Sequence, residues 1–484
     1  MKRIYLLCAA LVMAAGVSTI HAQRVWAYGL ALSHEDKAYT FEFTAVTDAT
    51  EANLVFTDTV GAEVGKVAIK DVKKGDNKIT LTDEQIPGTD VTLNWSVELK
   101  GAAIEALTEV TDDTTDFFRF YLPQDVMVCN NPESEGFGTI VVLEATDGAK
   151  DGSTTWTKAQ KAGLFLFSSL LESINSINRD TVGFLPANVT VGTRHELHRM
   201  AMDSKDNVYI ARNLAPTAVW QFQDISKDAV NVIAGISEIT LANSICVDEN
   251  DVLYVLDNAN TATGGTIYKV ENGVATKIIQ SAVWGNADNS MASDGRGGLW
   301  VAQHRWGIDA YNILTHINAK GEIDYAVNGS ADDAIKALFD AKTNASYRGQ
   351  MAYDATRDIL AFGGNTVVTT FNVAYDATTG VPTLTKGIQT PAIGNNIDGV
   401  AFDYAGDLLV VSAPKERFYK YAMPTNDNHI VVPAPKAQTI VKSAGTFVDN
   451  IDMAAPQIQK VVRNGQVYIV RDGVMYDMMG QVVE

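Results

Sequence analysis

Oxygen-bearing side chains recur at one position of a repeated sequence pattern, five residues before an aspartate or asparagine that follows a short apolar run. The six positions are Asp125, His198, Asn243, Asn289, Gly349 and Asp398. Hard divalent cations prefer carboxylate and amide oxygens. Asp125, Asn243, Asn289 and Asp398 therefore have the ligand types that a cation such as Ca²⁺ prefers. The alternative is that these side chains line a water-filled channel or satisfy backbone groups at turns. No other cofactor is expected.

A second candidate site is the run His304-Arg305-Trp306, which follows a predicted strand. An arginine and a tryptophan could stack on and hydrogen-bond a sugar or a peptide. The alternative is that Trp306 packs in the protein interior. His198 and Arg199, at the start of another predicted strand, are further candidate ligand-binding residues. His195 precedes His198 by three positions, but a strand-loop junction does not hold that spacing on one face as a helix would.

No catalytic residue can be assigned from sequence motifs. The chain has no G-x-S-x-G, H-E-x-x-H, Walker or EF-hand pattern. The sequence therefore leaves catalysis open and favours a protein that is not an enzyme.

The repeated pattern itself is a β-hairpin with an aspartate at its turn. The copies centre on Asp203, Asp248, Asp294, Asp354 and Asp403, which are 45, 46, 60 and 49 residues apart. These separations match the blades of a β-propeller. A sixth copy spans Asp125 to Val142, with Asn130 in place of the aspartate. Six further strands, one after each hairpin, indicate six blades, and a helical period over Ala331 to Ala341 explains the longest separation. The aspartates are predicted to accept backbone N–H bonds in the turns.

The hairpin D-x-x-G-x-L-Y-V resembles the repeat of NHL and gluconolactonase-like six-bladed propellers, over roughly residues 120 to 430. The resemblance implies that rim oxygens, here Asp125, Asn243, Asn289 and Asp398, hold a divalent cation. No residue matches the first-blade glutamate that lactonases typically carry, which argues against an enzyme.

Two smaller modules flank the predicted propeller of residues 117–433. Residues 23–101 show five short alternating strands, which predict a β-sandwich, and the end KGDNKITLTDEQIPGTDVTLNWSVEL resembles the Ig-like module of flagellar hook-capping proteins and Bacteroidetes extracellular proteins. That resemblance implies a spacer or docking domain. Residues 102–116 are predicted to be a linker. The aromatic run from Phe117 to Tyr121 is predicted to pair with the last blade and close the ring.

The C-terminal residues 458–484 follow a second predicted linker, 434–457. The pairs Asn464-Gly465 and Asp472-Gly473 are turn signals that separate three short strands of a meander. The segment resembles the C-terminal sorting domain of Bacteroidetes type IX (Por) secretion. That resemblance implies contact with an export machinery and attachment to the cell surface.

Residues 1–22 have the pattern of a secretory signal peptide. Lys2 and Arg3 precede an apolar run from Ile4 to Val17, and Ala22 suits cleavage. No other stretch approaches the roughly 20 apolar residues of a membrane span. We expect a secreted, cell-surface or periplasmic protein.

Net charge limits the classes of binding partner, and the number of cysteines bears on disulfide bonds. Without Lys2 and Arg3 the 38 basic residues fall to 36 against 58 acidic ones, a net charge of −22. This charge disfavours nucleic acid and anionic lipid. Cys129 and Cys246 are predicted to be free, buried cysteines.

The sequence thus predicts an all-β chain and leaves two functions open. The first is a secreted or cell-envelope propeller that binds a protein or glycan partner on one face without catalysis. The alternative is a divalent-cation-dependent, lactonase-like hydrolase or lyase that acts on a sugar-derived substrate in the channel.

Overall fold

A computed structural model of the protein describes residues 23–36, 38–89, 91–111, 116–145, 163–174, 197–212, 218–222, 230–232, 238–258, 264–284, 289–303, 312–328, 337–339, 350–394, 396–442, 459–463, 466–471, 474–476 and 483. The signal-peptide pattern, and most of the predicted helix at 331–341, lie outside them. Strands dominate the described residues, which confirms the all-β prediction. Within them, no helix has the length and apolar character needed to cross a membrane. The chain divides into two units, residues 1–87 with 93–440 and residues 88–92 with 441–484.

Six N-terminal strands build a two-sheet sandwich: β1 (Ala27–Glu35), β2 (Ala38–Ala45), β3 (Glu51–Thr57), β4 (Glu63–Ile69), β5 (Gly75–Thr82) and β6 (Val91–Lys100). One sheet has the order β1-β2-β5, and the other contains β6-β3-β4. Side chains of β2 alternate between interior and surface, as expected of a strand with one face in a core. Phe41 packs edge-on against Phe56 and Trp95, with ring centroids 5.9 and 4.9 Å apart, and so joins the two sheets. A short 3₁₀ helix (Asp83–Gln85) follows β5.

The propeller has six blades. Before the first blade come β7 (Thr108–Glu109) and a 3₁₀ helix (Asp116–Phe118). The blade strands are β8 (Pro123–Val128), β9 (Ile140–Glu144) and β10 (Gly163–Phe167) in blade 1; β11 (Leu197–Met202), β12 (Val208–Arg212), β13 (Ala218–Phe222) and β14 (Val230–Val232) in blade 2; β15 (Ala242–Val247), β16 (Leu253–Asp257), β17 (Gly265–Glu271) and β18 (Val274–Ser281) in blade 3; β19 (Asn289–Ser293), β20 (Leu299–Gln303), β21 (Asn312–Ile317) and β22 (Ile323–Asn328) in blade 4; β23 (Gln350–Asp354), β24 (Ile359–Gly363), β25 (Val368–Tyr375) and β26 (Pro382–Gln389) in blade 5; and β27 (Gly399–Phe402), β28 (Leu408–Ser412) and β29 (Arg417–Ala422) in blade 6. The six predicted hairpins and the strand after each are confirmed.

A strand from before blade 1 completes blade 6. Glu109 pairs with Tyr421 and Thr108 pairs with Ala422, so β7 becomes the outermost strand of the last blade. The closing strand therefore lies within residues 102–116, the predicted linker. The aromatic run starts in the 3₁₀ helix and also pairs with the last blade, as predicted, through an antiparallel bridge between Arg119 and Arg417. Phe118 and Phe120 pack between blades 6 and 1. Full closure protects sheet edges that would otherwise pair with other chains.

Apolar clusters lie between all six pairs of neighbouring blades. Ala201 and Cys246, which stand two residues before their repeat aspartates, are 5% and 6% exposed and pack against the next blade. These small residues lie where the inner strands of two blades approach each other.

The chain returns to the sandwich after the propeller. Strand β30 (His429–Pro433) pairs with β6, so the propeller is inserted between two strands of one sandwich sheet. A short strand β31 (Ile440–Lys442) follows in the predicted second linker. The side chain of Asn428 accepts a bond from the Val25 N–H at 2.9 Å and donates to the Ala102 carbonyl at 2.9 Å. Gly101 leaves room for these bonds, because a Cβ there would lie 2.5 Å from the Asn428 amide nitrogen and displace it.

The sandwich also contacts the hairpin turns of blades 1 and 6. The Arg24 guanidinium donates to the Ala405 carbonyl at 2.8 Å. The buried Trp26 ring packs against Phe137 and Tyr404, with centroids 5.6 and 5.8 Å apart. The N-terminal module therefore packs directly against the propeller.

In the C-terminal unit, three strands form the predicted meander: β32 (Gln459–Arg463), β33 (Gln466–Arg471) and β34 (Val474–Tyr476). They pair antiparallel in chain order. The predicted turn residues lie outside the described part of the chain.

Replacing Phe418 with alanine tests the packing that holds the ring closed. The Phe418 ring is fully buried and stacks on Phe167 of blade 1, with centroids 5.9 Å apart. We expect Phe418→Ala to lower the free energy of unfolding by about 3–5 kcal/mol, because the change leaves a cavity between blades 6 and 1. Denaturant unfolding would measure the loss. Val274→Ala, at a side chain 63% exposed, should change it by less than about 0.5 kcal/mol, and equal losses for the two variants would contradict this account of closure.

Candidate functional site

The predicted ring of oxygens lies at the start of the inner strands, but one member is displaced. The strand registers pair Arg199 with Ala211, Ser244 with Leu256 and Ser290 with Ala302, and in blade 1 the equivalent residue is Asp125, which pairs with Leu143. Asp125 is therefore level with Arg199, whereas His198, Asn243, Asn289 and Asp398 lie one residue earlier. Gly349 is outside the described residues.

The displacement arises because Cys129, not Asn130, holds the place of the repeat aspartate in blade 1. The Cys129 N–H donates across the turn to the Thr139 carbonyl, as the Asp203 N–H does to Asn207. The Asn130 side chain points elsewhere and donates to the Phe402 carbonyl. The prediction that Asn130 replaces the aspartate is therefore wrong.

A buried guanidinium occupies the axis at this level. The Arg199 side chain, 2% exposed, donates through Nη1 to the carbonyls of Gln124 (3.1 Å), Asp398 (3.3 Å) and its neighbour His198, and through Nε to that of Asn289 (3.3 Å). These carbonyls belong to blades 1, 2, 4 and 6. A planar cation with five N–H donors suits such a ring of acceptors. Arg199 thus closes the channel at this end.

Two of the four predicted metal ligands, Asp125 and Asn243, hold neighbouring blades together. Asp125 accepts the N–H of Val126 at 2.9 Å and that of Met200, in blade 2, at 2.8 Å. Asn243 accepts the N–H of Asn289 in the next blade at 2.7 Å. Asp398 accepts the N–H of Ala413 within its own blade at 2.6 Å. Blade 6 carries Gly399 at this level because a Cβ would lie 2.6 Å from the Asp125 Cα atom.

This donor set does not fit a divalent cation as it stands. Asn289 is the predicted ligand whose side-chain N and O have no hydrogen-bond partner among the described residues, but the Arg199 cation lies against its carbonyl. Within the described part of the chain, no group of three or more His, Cys, Asp or Glu side chains could hold a metal. The Ca²⁺ site stays a prediction that would require Arg199 to move.

Burial also changes the acidity of Asp125. Loss of solvent raises the pKa of its carboxyl to about 6, and the Arg199 charge and two backbone N–H bonds only partly oppose that rise.

Beyond Arg199 the channel widens into a cavity of about 420 Å³, here called the funnel. Its floor includes Asp125 and Arg199, and its mouth lies among the exposed turn residues Glu249, Gly295 and Ala355. The propeller range 117–433 contains six methionines. Five of them line the funnel: Met127, Met200, Met202, Met291 and Met351. Sequence reasoning missed this wall, which a count of methionines on the inner strands would have found.

The repeat aspartates are turn residues, as predicted. Asp203 accepts the N–H groups of Lys205 and Asn207, and Asp294 accepts those of Arg296 and Gly298, all at 2.7–3.0 Å. The second carboxylate oxygen binds a donor that differs between blades. The donors include the Tyr254 hydroxyl for Asp248 and the Lys420 ammonium for Asp403.

The remaining predicted binding residues are not all described. His304, Arg305, Trp306 and His195 lie outside the described residues, so the site predicted there stays a prediction. His198 is fully buried beside Arg199.

Comparisons with known proteins identify no family. No family model matches the chain, and no curated protein is similar to it. The fold is similar to that of an auxiliary nutrient binding protein from Bacteroides ovatus, with 9% identity, a TM-score of 0.42 and coverage of 83% of this chain and 98% of that one. It is similar to a Bacteroides thetaiotaomicron protein of unknown function, with 12% identity, a TM-score of 0.41 and the same coverages. It is also similar to regucalcin, a calcium-binding protein from Agrobacterium tumefaciens, with 16% identity, a TM-score of 0.39 and coverage of 64% and 92%. These similarities are too distant to carry a function to this chain.

The raised pKa of Asp125 predicts a pH dependence of stability. The unfolded carboxyl loses its proton near its ordinary pKa of 3.8 and the folded one near 6, so the folded state binds more protons between these values. The free energy of unfolding should therefore fall by about 3 kcal/mol as pH rises through this window. In Asp125→Asn this part of the decline should disappear.

Denaturant unfolding between about pH 4 and pH 7 would compare the two proteins. Glu84→Gln, at an exposed side chain, should keep the decline of the unsubstituted protein. Parallel curves for Asp125→Asn and the unsubstituted protein would contradict the assignment to Asp125.

Proposed function

We propose that the protein is a non-enzymatic propeller that binds a partner by taking one of the partner's apolar groups into the funnel. The observation that carries this proposal is a cavity whose lining includes five methionines. Met127 and Met202 are partly exposed, whereas Met200, Met291 and Met351 are 5–7% exposed and also pack between blades. Methionine side chains are flexible and polarizable, so they adapt to apolar ligands of different shape. A cavity of this volume is within the usual range for binding sites.

The polar groups of the funnel favour binding over catalysis. Asp125 accepts backbone N–H bonds, and Arg199 donates to backbone carbonyls. Groups engaged in this way hold the inner strands in place. They would have to break structural bonds to act as a general base or a metal ligand.

A protein partner is favoured over a glycan. The Ser290 hydroxyl already bonds the N–H and carbonyl of Met351, and the Ser293 hydroxyl bonds Glu249. A sugar needs polar partners, whereas an apolar side chain of a protein needs only the methionine wall and the rings of Tyr353 and Phe402.

The location proposed is outside the cytoplasm, at the cell surface or in the periplasm. The signal-peptide pattern of residues 1–22 supports it, and so does the sorting-like sequence of residues 458–484.

A substitution that fills the funnel tests the proposal. N-phenyl-1-naphthylamine, a neutral apolar dye, should bind with saturation and with increased fluorescence. Ala292→Phe places a ring in the cavity and should weaken dye binding about tenfold or more, because it removes the space that the dye occupies. Titration of the dye by fluorescence would measure both.

Ala319→Phe, an exposed position in the same blade, is the matched control and should leave the affinity unchanged. If Ala292→Phe does not fold, as judged by circular dichroism, Ser293→Phe fills the same cavity. If Ala292→Phe or Ser293→Phe folds and still binds the dye with unchanged affinity, the funnel is not the binding site.

The cation-dependent hydrolase remains the alternative. Its test is calorimetric titration with Ca²⁺ together with lactone hydrolysis. Stoichiometric Ca²⁺ binding and hydrolysis that are both lost in Asp398→Ala would establish the alternative and overturn the binding proposal.

A further inference from the structure

The turn of blade 3 separates the funnel from a second cavity. Asp248 and Glu249 line the funnel mouth. The next two residues, Asn250 and Asp251, line a cavity of about 610 Å³ between blades 2 and 3, here called the blade 2–3 groove. Its other lining residues are Tyr209, Gln221, Val252, Leu253, Val270, Glu271, Asn272 and Gly273. A segment that enters the funnel can therefore reach the groove across a single turn.

Three carboxylates on this turn bind only neutral donors. Asp248 accepts the N–H groups of Asn250 and Val252 and the hydroxyl of Tyr254. Glu249 accepts from the Ser293 hydroxyl and the Asn250 amide.

Asp251 likewise accepts the N–H and hydroxyl of one residue, Ser204, at 2.7 and 2.6 Å. No described lysine, arginine or histidine forms an ion pair with any of the three. Their negative charges are therefore uncompensated on the surface that a ligand meets.

The turns of blades 4 to 6 differ in this respect. Their repeat aspartates are each paired with a basic side chain: Asp294 with His316, Asp354 with Arg357 and Asp403 with Lys420. Asp203 of blade 2, like Asp248, binds only neutral donors. Among the described turns of blades 2 to 6, the repeat aspartates without a basic partner are therefore those of blades 2 and 3. Within the groove, Glu271 is balanced by Lys269 at 3.1 Å, which leaves Asp251 as its unbalanced acid.

We propose that the partner binds through a basic segment, with an apolar side chain in the funnel and a lysine or arginine beside it in the blade 2–3 groove. This inference rests on the proposed function, because it needs an apolar group in the funnel as anchor. A cation in the groove would meet the Asp251 carboxylate, the Tyr209 ring and the side-chain oxygens of Gln221 and Asn272. Carboxylates and aromatic faces both attract ammonium and guanidinium groups.

Three short synthetic peptides test the proposal. They share one central leucine, which is flanked by lysines in the first, glutamines in the second and glutamates in the third. We expect the lysine peptide to bind about threefold or more tighter than the glutamine peptide at about 20 mM salt, and the glutamate peptide to bind more weakly than both. The difference should shrink at about 300 mM salt. Fluorescence anisotropy of labelled peptides would measure the affinities.

Two matched double variants distinguish the effect of the blade 3 turn on peptide binding from the effect of the protein's net charge. Glu249→Gln with Asp251→Asn should abolish the preference for lysine. The positive φ of 63° at Asp251 suits asparagine equally well. Glu84→Gln with Glu322→Gln removes two exposed acids elsewhere and should preserve the preference.

The outcomes distinguish this inference from the proposed function. If neither the dye nor any peptide binds, the funnel is not a binding site and both fail. If the dye and all three peptides bind, with equal affinity among the peptides, only the basic-partner inference fails. If both double variants lose the preference for the lysine peptide equally, the preference arises from the net charge of −20. That result would overturn the role of the blade 3 turn.

Discussion

Closure of the ring is the constraint on which the rest of the structure depends. Two residue pairs between β7 and β29 join the two ends of the propeller, and Arg417 reinforces them by donating to Glu109 at 2.9 Å. Only in the closed ring do the carbonyls of blades 1, 4 and 6 converge on Arg199. The closed floor of the funnel is therefore a product of closure and not of any one blade.

A cation that belongs to the chain, the Arg199 guanidinium, lies beside the side chains predicted to bind Ca²⁺. A guanidinium supplies positive charge and hydrogen-bond donors to buried carbonyls of several blades, and a buried carbonyl without a donor is costly. It does so without the exchangeable coordination positions of a metal. This difference favours a structural role for Arg199 and the residues around it. The funnel beyond Arg199 is therefore the better candidate for ligand binding.

The repeat aspartates made the fold predictable, whereas the site was only partly so. Their spacing reports a local interaction, a carboxylate accepting N–H bonds in its own turn, and local interactions can be read from sequence. In blade 1 the longer turn led the sequence alignment to place Asn130 at the position of the repeat aspartate, which Cys129 holds in the structure. The alignment therefore assigned Asp125 to a level one residue away from its true one. The role of Arg199 could not be read, because its acceptors come from blades that are up to 199 residues apart in sequence.

Several outer strands were not predicted, because their sequences lack a local signal. Residues of β18 and β26 are largely exposed, so they lack the apolar alternation that marks a half-buried strand. Strand β30 is short and precedes proline-rich sequence, and only its pairing with β6 assigns it to the sandwich.

The insertion of the propeller between β6 and β30 sets an order on folding. During synthesis the first six strands emerge long before their partner β30, so the sandwich sheet stays incomplete until residue 433 has been made. Asn428, which ties Val25 to Ala102, can form those bonds only at that stage. The N-terminal module can thus reach its final structure only after the whole chain of the propeller has been made.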